Sequence, residues 1–126
     1  MTPNTEPYAS IEGLSESAIF HVAQYFSALS EPSRLRILNH LRDGEKKVGD
    51  LAAICACSQA NVSRHLSILA KSGLVTRKGR GSFVYYQIAD PTTYQLCELV
   101  CRKLALQLQI QIDSFDGVTI GTDDSL

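Results

Sequence analysis

Residues 58–88 read SQANVSRHLSILAKSGLVTRKGRGSFVYYQI, and the reading of this stretch decides the fold. Ser58 is a helix-capping residue, and Val62, Leu66, Leu69 and Ala70 follow at i, i+4, i+7 and i+8, one apolar stripe of an α-helix. Ser72-Gly73 ends that helix, glycine taking the left-handed position after the last turn. Residues 74–78 and 82–88 are β-rich and flank Gly79-Arg80-Gly81, which predicts a hairpin with its turn on the glycines. The face opposite the apolar stripe carries Gln59, Ala60, Ser63, Arg64 and Ser67. Short polar side chains with one arginine let a helix sit deep in a duplex major groove, about 12 Å wide. Gln59 and Arg64 suit base edges, Ser58 and Ser63 suit phosphates or bases, and His65 beside Arg64 takes a structural or phosphate-contacting role. Arg77, Lys78 and Arg80 surround the hairpin tip with no acid before Asp90, a cationic ribbon able to follow a phosphate backbone.

The flanking sequence supplies the frame. A short helix over 48–56, with Leu51, Ala52 and Ile54 apolar, meets the helix capped by Ser58 at a tight Cys57-Ser58 corner, as a helix-turn-helix requires. Ser30-Glu31-Pro32 starts a preceding helix whose buried face is Leu35, Ile37, Leu38 and Leu41, ended by Asp43-Gly44. Ser15 opens another, to about 29, with Ile19, Val22, Ala23 and Phe26 in period. Asp90-Pro91 opens the fifth, to about Ile112, in which Leu96, Leu99, Val100, Leu104, Leu106, Leu108, Ile110 and Ile112 leave most sides apolar. One small wing domain does not cover such a helix, so a second copy is the expected partner. The expected fold is mainly α with a β-hairpin wing (α+β): a five-helix winged helix-turn-helix domain over 15–112. Residues 1–14 read as a flexible arm and 113–126 as an acidic, disordered tail.

The chain has 126 residues, 44% hydrophobic and 20% charged, enough for one ordinary globular core. It has no run of 18 apolar residues and no basic-then-apolar leader, so the expectation is a cytoplasmic protein without a membrane partner, its four cysteines reduced. A formal charge of −1 speaks against a nucleic-acid partner, but the distribution reverses this. Between 33 and 90 stand ten Lys/Arg against four acids, a local +6, whereas the last fourteen residues hold four acids and no base.

The stretch Ala28-Leu29-Ser30-Glu31-Pro32-Ser33-Arg34-Leu35-Arg36-Ile37-Leu38 resembles the helix-entry motif of the ArsR/SmtB family of winged-helix repressors. Val48-Gly49-Asp50-Leu51-Ala52, residues 58–66, Gly73-Leu74-Val75 and Gly81-Ser82-Phe83-Val84-Tyr85-Tyr86 are similar to its later landmarks, in order, so the likeness runs from about 20 to 105. The resemblance implies a homodimer built on helices 1 and 5. It further implies that the protein binds double-stranded operator DNA without any cofactor and lets go on sensing an inducer.

The candidate sensor chemistry is thiol. Cys97 and Cys101 fall at i, i+4 on one helix face, and Cys55 and Cys57 flank Ala56 at the helix-turn-helix corner. Thiolates suit soft ions or reversible oxidation. The family's arsenic-type cysteine motif would fall on 46–50, which reads KKVGD, and its zinc-type acid/histidine set on helix 5 is missing, since His21, His40 and His65 lie elsewhere. Three readings stay open: a soft metal or metalloid inducer (arsenite, antimonite, cadmium or zinc), thiol redox or reactive-sulfur sensing, and four small buried hydrophobes with no sensor role. A purely protein-binding winged helix would want an acidic or apolar face where Arg64, Arg77, Lys78 and Arg80 stand. A thiol enzyme would want a base beside a cysteine, and no histidine lies near one in sequence.

Overall fold

The computed structural model describes residues 11–108. The chain divides into two compact units, Met1–Ala89 and Asp90–Leu126. In the first unit a 3-10 turn, Ile11–Gly13, falls at the end of the expected arm and leads to α1, Glu16–Leu29. Ser15 caps α1 as expected, its Oγ accepting from the Ala18 N–H at 3.1 Å. α2 spans Pro32–His40 with proline in its first turn. Its cap is Glu31 rather than Ser30: the Glu31 carboxylate accepts the Ser33 N–H at 2.8 Å, a pairing the positive helix N-terminus favours.

β1, Lys46–Lys47, runs straight into α3, Val48–Cys55, and α4 spans Gln59–Lys71. β2, Val75–Arg80, and β3, Phe83–Ile88, complete a three-stranded antiparallel sheet of order β1-β3-β2. Lys46 pairs with Tyr86 and Lys47 with Tyr85. The hairpin turn sits two residues later than the glycines suggested: Arg80 pairs with Phe83, Gly79 lies inside the strand against Val84, and Gly81-Ser82 form the loop. Gly81 has φ +61 and Ser82 is not at positive φ, the pattern of a two-residue II′ turn whose twist matches the strands.

The core of this unit is made of Ile37 and Leu38 from α2, Leu41 at its C-cap, Leu51 from α3, Val62, Leu66 and Leu69 from α4, and Leu74 and Val75 leading into the wing. Burying each such side chain is worth roughly 1.5–3 kcal/mol. Leu35, expected inside, is 42% exposed, and the neighbour buried in its stead is Arg34. On the wing Tyr85 and Tyr86 are both half-buried.

The second unit contributes α5, Thr92–Gln107. Asp90 opens it, its Oδ1 accepting from the Thr92 N–H at 3.0 Å, which holds the Asp90 carboxyl below its usual range. Its expected continuation to Ile112, like the arm over residues 1–10 and the acidic tail, lies outside the described residues. Among the described residues no helix is long and apolar enough to cross a membrane.

Candidate nucleic-acid interface

The corner that sets α4 against α3 is built by backbone chemistry. Ala56 adopts the left-handed conformation (φ 55). That lets the Cys57 N–H reach the Ala52 carbonyl at 3.0 Å and the Ala56 N–H reach Ala53 at 3.3 Å, the paired bonds of a Schellman ending. A left-handed non-glycine residue costs about 1 kcal/mol, so the surrounding contacts over-determine this turn. Ser58 then starts α4, its Oγ accepting from the Asn61 N–H at 3.1 Å. At the far end Gly73 (φ 79) repeats the same ending, with Leu74 bonding back to Leu69 at 2.9 Å.

With Val62, Leu66 and Leu69 buried, α4 shows Ser58, Gln59, Ala60, Ser63, Arg64 and Ser67 to solvent, the expected row. Gln59 leans back over α3: its amide nitrogen lies 3.5 Å from where a Cβ on Gly49 would stand. His65 does not belong to this row. It is only 6% exposed, and its Nδ1 faces the Arg34 guanidinium at 3.2 Å. Its position in the period is the reason: residue 65 falls between the two buried turns at Val62 and Leu69, on the side facing α2. Burial first, and then the charges of Arg64 and Arg34, hold the His65 imidazole below its ordinary pKa, against the opposing pull of Glu31.

Arg34, one of the ten bases between 33 and 90, is buried and serves as a structural cation. Its Nε donates to the Ala28 carbonyl at 2.7 Å and an Nη to Ser27 at 3.3 Å. These are carbonyls of the last turn of α1, at the negative end of the helix dipole, and the Ser27 carbonyl also accepts the Ser30 N–H at 3.1 Å.

On the wing Arg77, Lys78 and Arg80 are exposed as expected. Arg80 pairs with Glu45, an acid that precedes β1, and lies 5.3 Å over the Tyr85 ring. Sequence reasoning missed β1 and with it this pairing, because a two-residue strand has no period to read. β1 also brings Lys46 and Lys47 to the sheet: Lys46 pairs with Asp43 at 2.9 Å, and Lys47 sits 4.4 Å over Phe83.

All four cysteines are half-buried thiols. At the corner the Cys57 thiol donates to the Cys55 carbonyl at 3.4 Å. Burial, and next the neighbouring Cys57, push the Cys55 thiol up, with Arg36 opposing. Cys97 and Cys101 lie on α5. Among the described residues no three His, Cys, Asp or Glu side chains converge as a metal cluster.

A family model described as "Bacterial regulatory protein, arsR family" matches residues 31–77, from the α2 cap into the first wing strand. A probable mercury resistance operon repressor of Streptomyces lividans is 34% identical over 91 residues, 72% of each chain. The chain belongs to the ArsR family. Another relative, a transcriptional repressor SmtB homolog of Synechocystis sp., is 45% identical over 69 residues, covering 55% of this chain and about half, 52%, of its own length. Among solved structures, the homodimeric winged helix-turn-helix DNA-binding domain of a possible ArsR-family regulator from Mycobacterium bovis is similar (TM-score 0.68, 30% identity, 77% of this chain and 93% of that one). In this ArsR-family chain α3 and α4 form the helix-turn-helix, and β2 and β3 form the wing.

Proposed function

We propose that this chain is a cytoplasmic transcriptional repressor that binds operator DNA as a homodimer and is released when a soft metal or metalloid ion engages cysteine thiols. The observation that carries the DNA reading is the exposed row Ser58, Gln59, Ala60, Ser63, Arg64 and Ser67 on a helix with a buried opposite face, followed by a wing bearing Arg77, Lys78 and Arg80. In this reading Arg64 and Gln59 contact base edges, the serines contact phosphates or bases, and the wing follows the backbone. Dimerisation is supported by apolar side chains left exposed on α1 (Ile19, Phe20, Phe26) and on α5 (Leu99, Val100, Leu104, Leu106), and by the homodimeric state of the M. bovis domain.

Arg64→Ala is expected to lower affinity for a duplex carrying the chain's own promoter by about 1–3 kcal/mol while barely changing affinity for a random duplex. Arg80→Ala is expected to weaken both duplexes alike and reduce the salt slope by about one. Fluorescence anisotropy over a salt series measures both. Equal losses on the two duplexes for Arg64→Ala refute its base-edge role.

For the inducer, Cys97 and Cys101 are the pair we assign. At i, i+4 their Cβ atoms stand about 5–6 Å apart on one face, a span that one soft ion can bridge. At the corner the Cys57 thiol is turned toward the Cys55 carbonyl, and burial pushes the Cys55 thiol up. Adding arsenite, antimonite, cadmium or zinc to the promoter complex is the test. Release by at least one ion that survives Cys55→Ser with Cys57→Ser but is lost in Cys97→Ser with Cys101→Ser is the expected result. Release that survives in the second double variant refutes the assignment.

A further inference from the structure

A buried guanidinium needs acceptors for its donors, and Arg34 turns each of its three nitrogens to an acceptor at a three-way joint. Two groups of donors hold the last carbonyls of α1, and Nη1 meets Nδ1 of His65 on α4 at 3.2 Å. A guanidinium has donors only, so Nδ1 accepts in this contact and the imidazole proton sits on Nε2. A second proton has to go to Nδ1, the atom facing the guanidinium. It removes the hydrogen bond and sets two cations in contact inside the core. Among the described residues the charges that bear on His65 are Glu31 and Arg34 from α2 and Arg64 from its own helix; Glu31 alone favours the charged form, and burial and both arginines oppose it. α1 presents carbonyl oxygens to this joint, and these are taken by Arg34.

We infer that Arg34 and His65 are positioning residues for DNA reading, and that a single proton on His65 of each protomer disengages α4 from its operator. The inference rests on α4 being the groove-reading helix. His65 lies between Ser63-Arg64 and Ser67 in the chain, so relief of the repulsion by movement of this turn carries those side chains with it. Base-edge hydrogen bonds do not survive a shift of about 1 Å, whereas phosphate contacts from the wing do. Acid therefore removes discrimination and leaves general DNA affinity. The sign is diagnostic, because protonating histidines adds positive charge and by itself strengthens binding to any duplex.

The test measures affinity for the chain's own promoter duplex and for a random duplex of equal length between pH 7.5 and 5.5, with helicity followed by circular dichroism. In the wild type the promoter affinity is expected to fall about tenfold across this range while the random duplex holds or tightens. His65→Asn places an amide oxygen where Nδ1 stands, accepts the same bond and does not titrate. It is expected to bind the promoter within about twofold of wild type at pH 7.5 and to stay level to pH 5.5. A wild-type promoter affinity that holds or rises on acidification overturns the inference, as does an equal fall in His65→Asn. Should that variant not fold, the wild-type ring is followed by NMR, and a His65 titration midpoint that does not coincide with the loss of promoter preference overturns it as well. Absence of any promoter preference at pH 7.5 defeats the operator reading itself, and this inference with it.

Discussion

Leu66→Ala is expected to destabilise the protein by about 2–5 kcal/mol, a large share of a total stability on the order of 5–15 kcal/mol. Leu66 has no exposed surface and sits in the middle of the α4 stripe, between Val62 and Leu69, which are equally enclosed. Truncation removes the transfer energy of the lost carbons and leaves a cavity that the close-packed surroundings fill only in part. Urea unfolding followed by circular dichroism measures the effect as a lowered midpoint at unchanged slope. Leu35→Ala is the matched comparison: being 42% exposed, Leu35 should cost under about 1 kcal/mol. A cost for Leu66→Ala as small as that for Leu35→Ala would mean that α4 is not anchored by this stripe.

The second large effect concerns assembly. Leu106 is 75% exposed and Leu99 is 61% exposed on α5, and Phe20 on α1 is 62% exposed. An aspartate at position 106 is therefore tolerated by a single chain, but in a symmetric dimer it brings two uncompensated carboxylates into the apolar contact. Leu106→Asp is expected to give a folded monomer at micromolar concentration and to reduce operator affinity by about 10²–10⁴-fold, the advantage that linking two reading heads confers. Analytical ultracentrifugation and anisotropy on the promoter duplex measure the two consequences. A Leu106→Asp protein that stays dimeric and binds as wild type would place the interface elsewhere.

The architecture was legible in the sequence wherever a period or a cap was long enough to read. Ser15, Ser58 and Asp90 start the helices they were expected to start, and the Val62, Leu66, Leu69 stripe is the core of α4. Three things were not legible, each for a physical reason. A strand of two residues has no alternation, so β1 passed as a loop, and the Glu45–Arg80 pair it makes possible was invisible. Two candidate turn glycines stood two residues apart, and only strand pairing decides that Gly81 bends while Gly79 lies flat in the ladder. Arg34 counted only as one of the bases between 33 and 90, and His65 had a structural or phosphate-contacting role with no partner to name. Their burial depends on meeting each other and the end of α1 across 31 residues of chain, information that no local pattern carries.

β1 has a mechanical consequence. Lys47 is at once a rung of the sheet and the residue from which α3 begins, so the bracing helix and the basic ribbon are one welded piece. Tilting α3 shears two rungs of the ladder, and bending the hairpin drags the foot of α3. The contacts that α3 and the wing offer a phosphate backbone are thereby geared together, made and lost as one, while α4 stays free to shift against them.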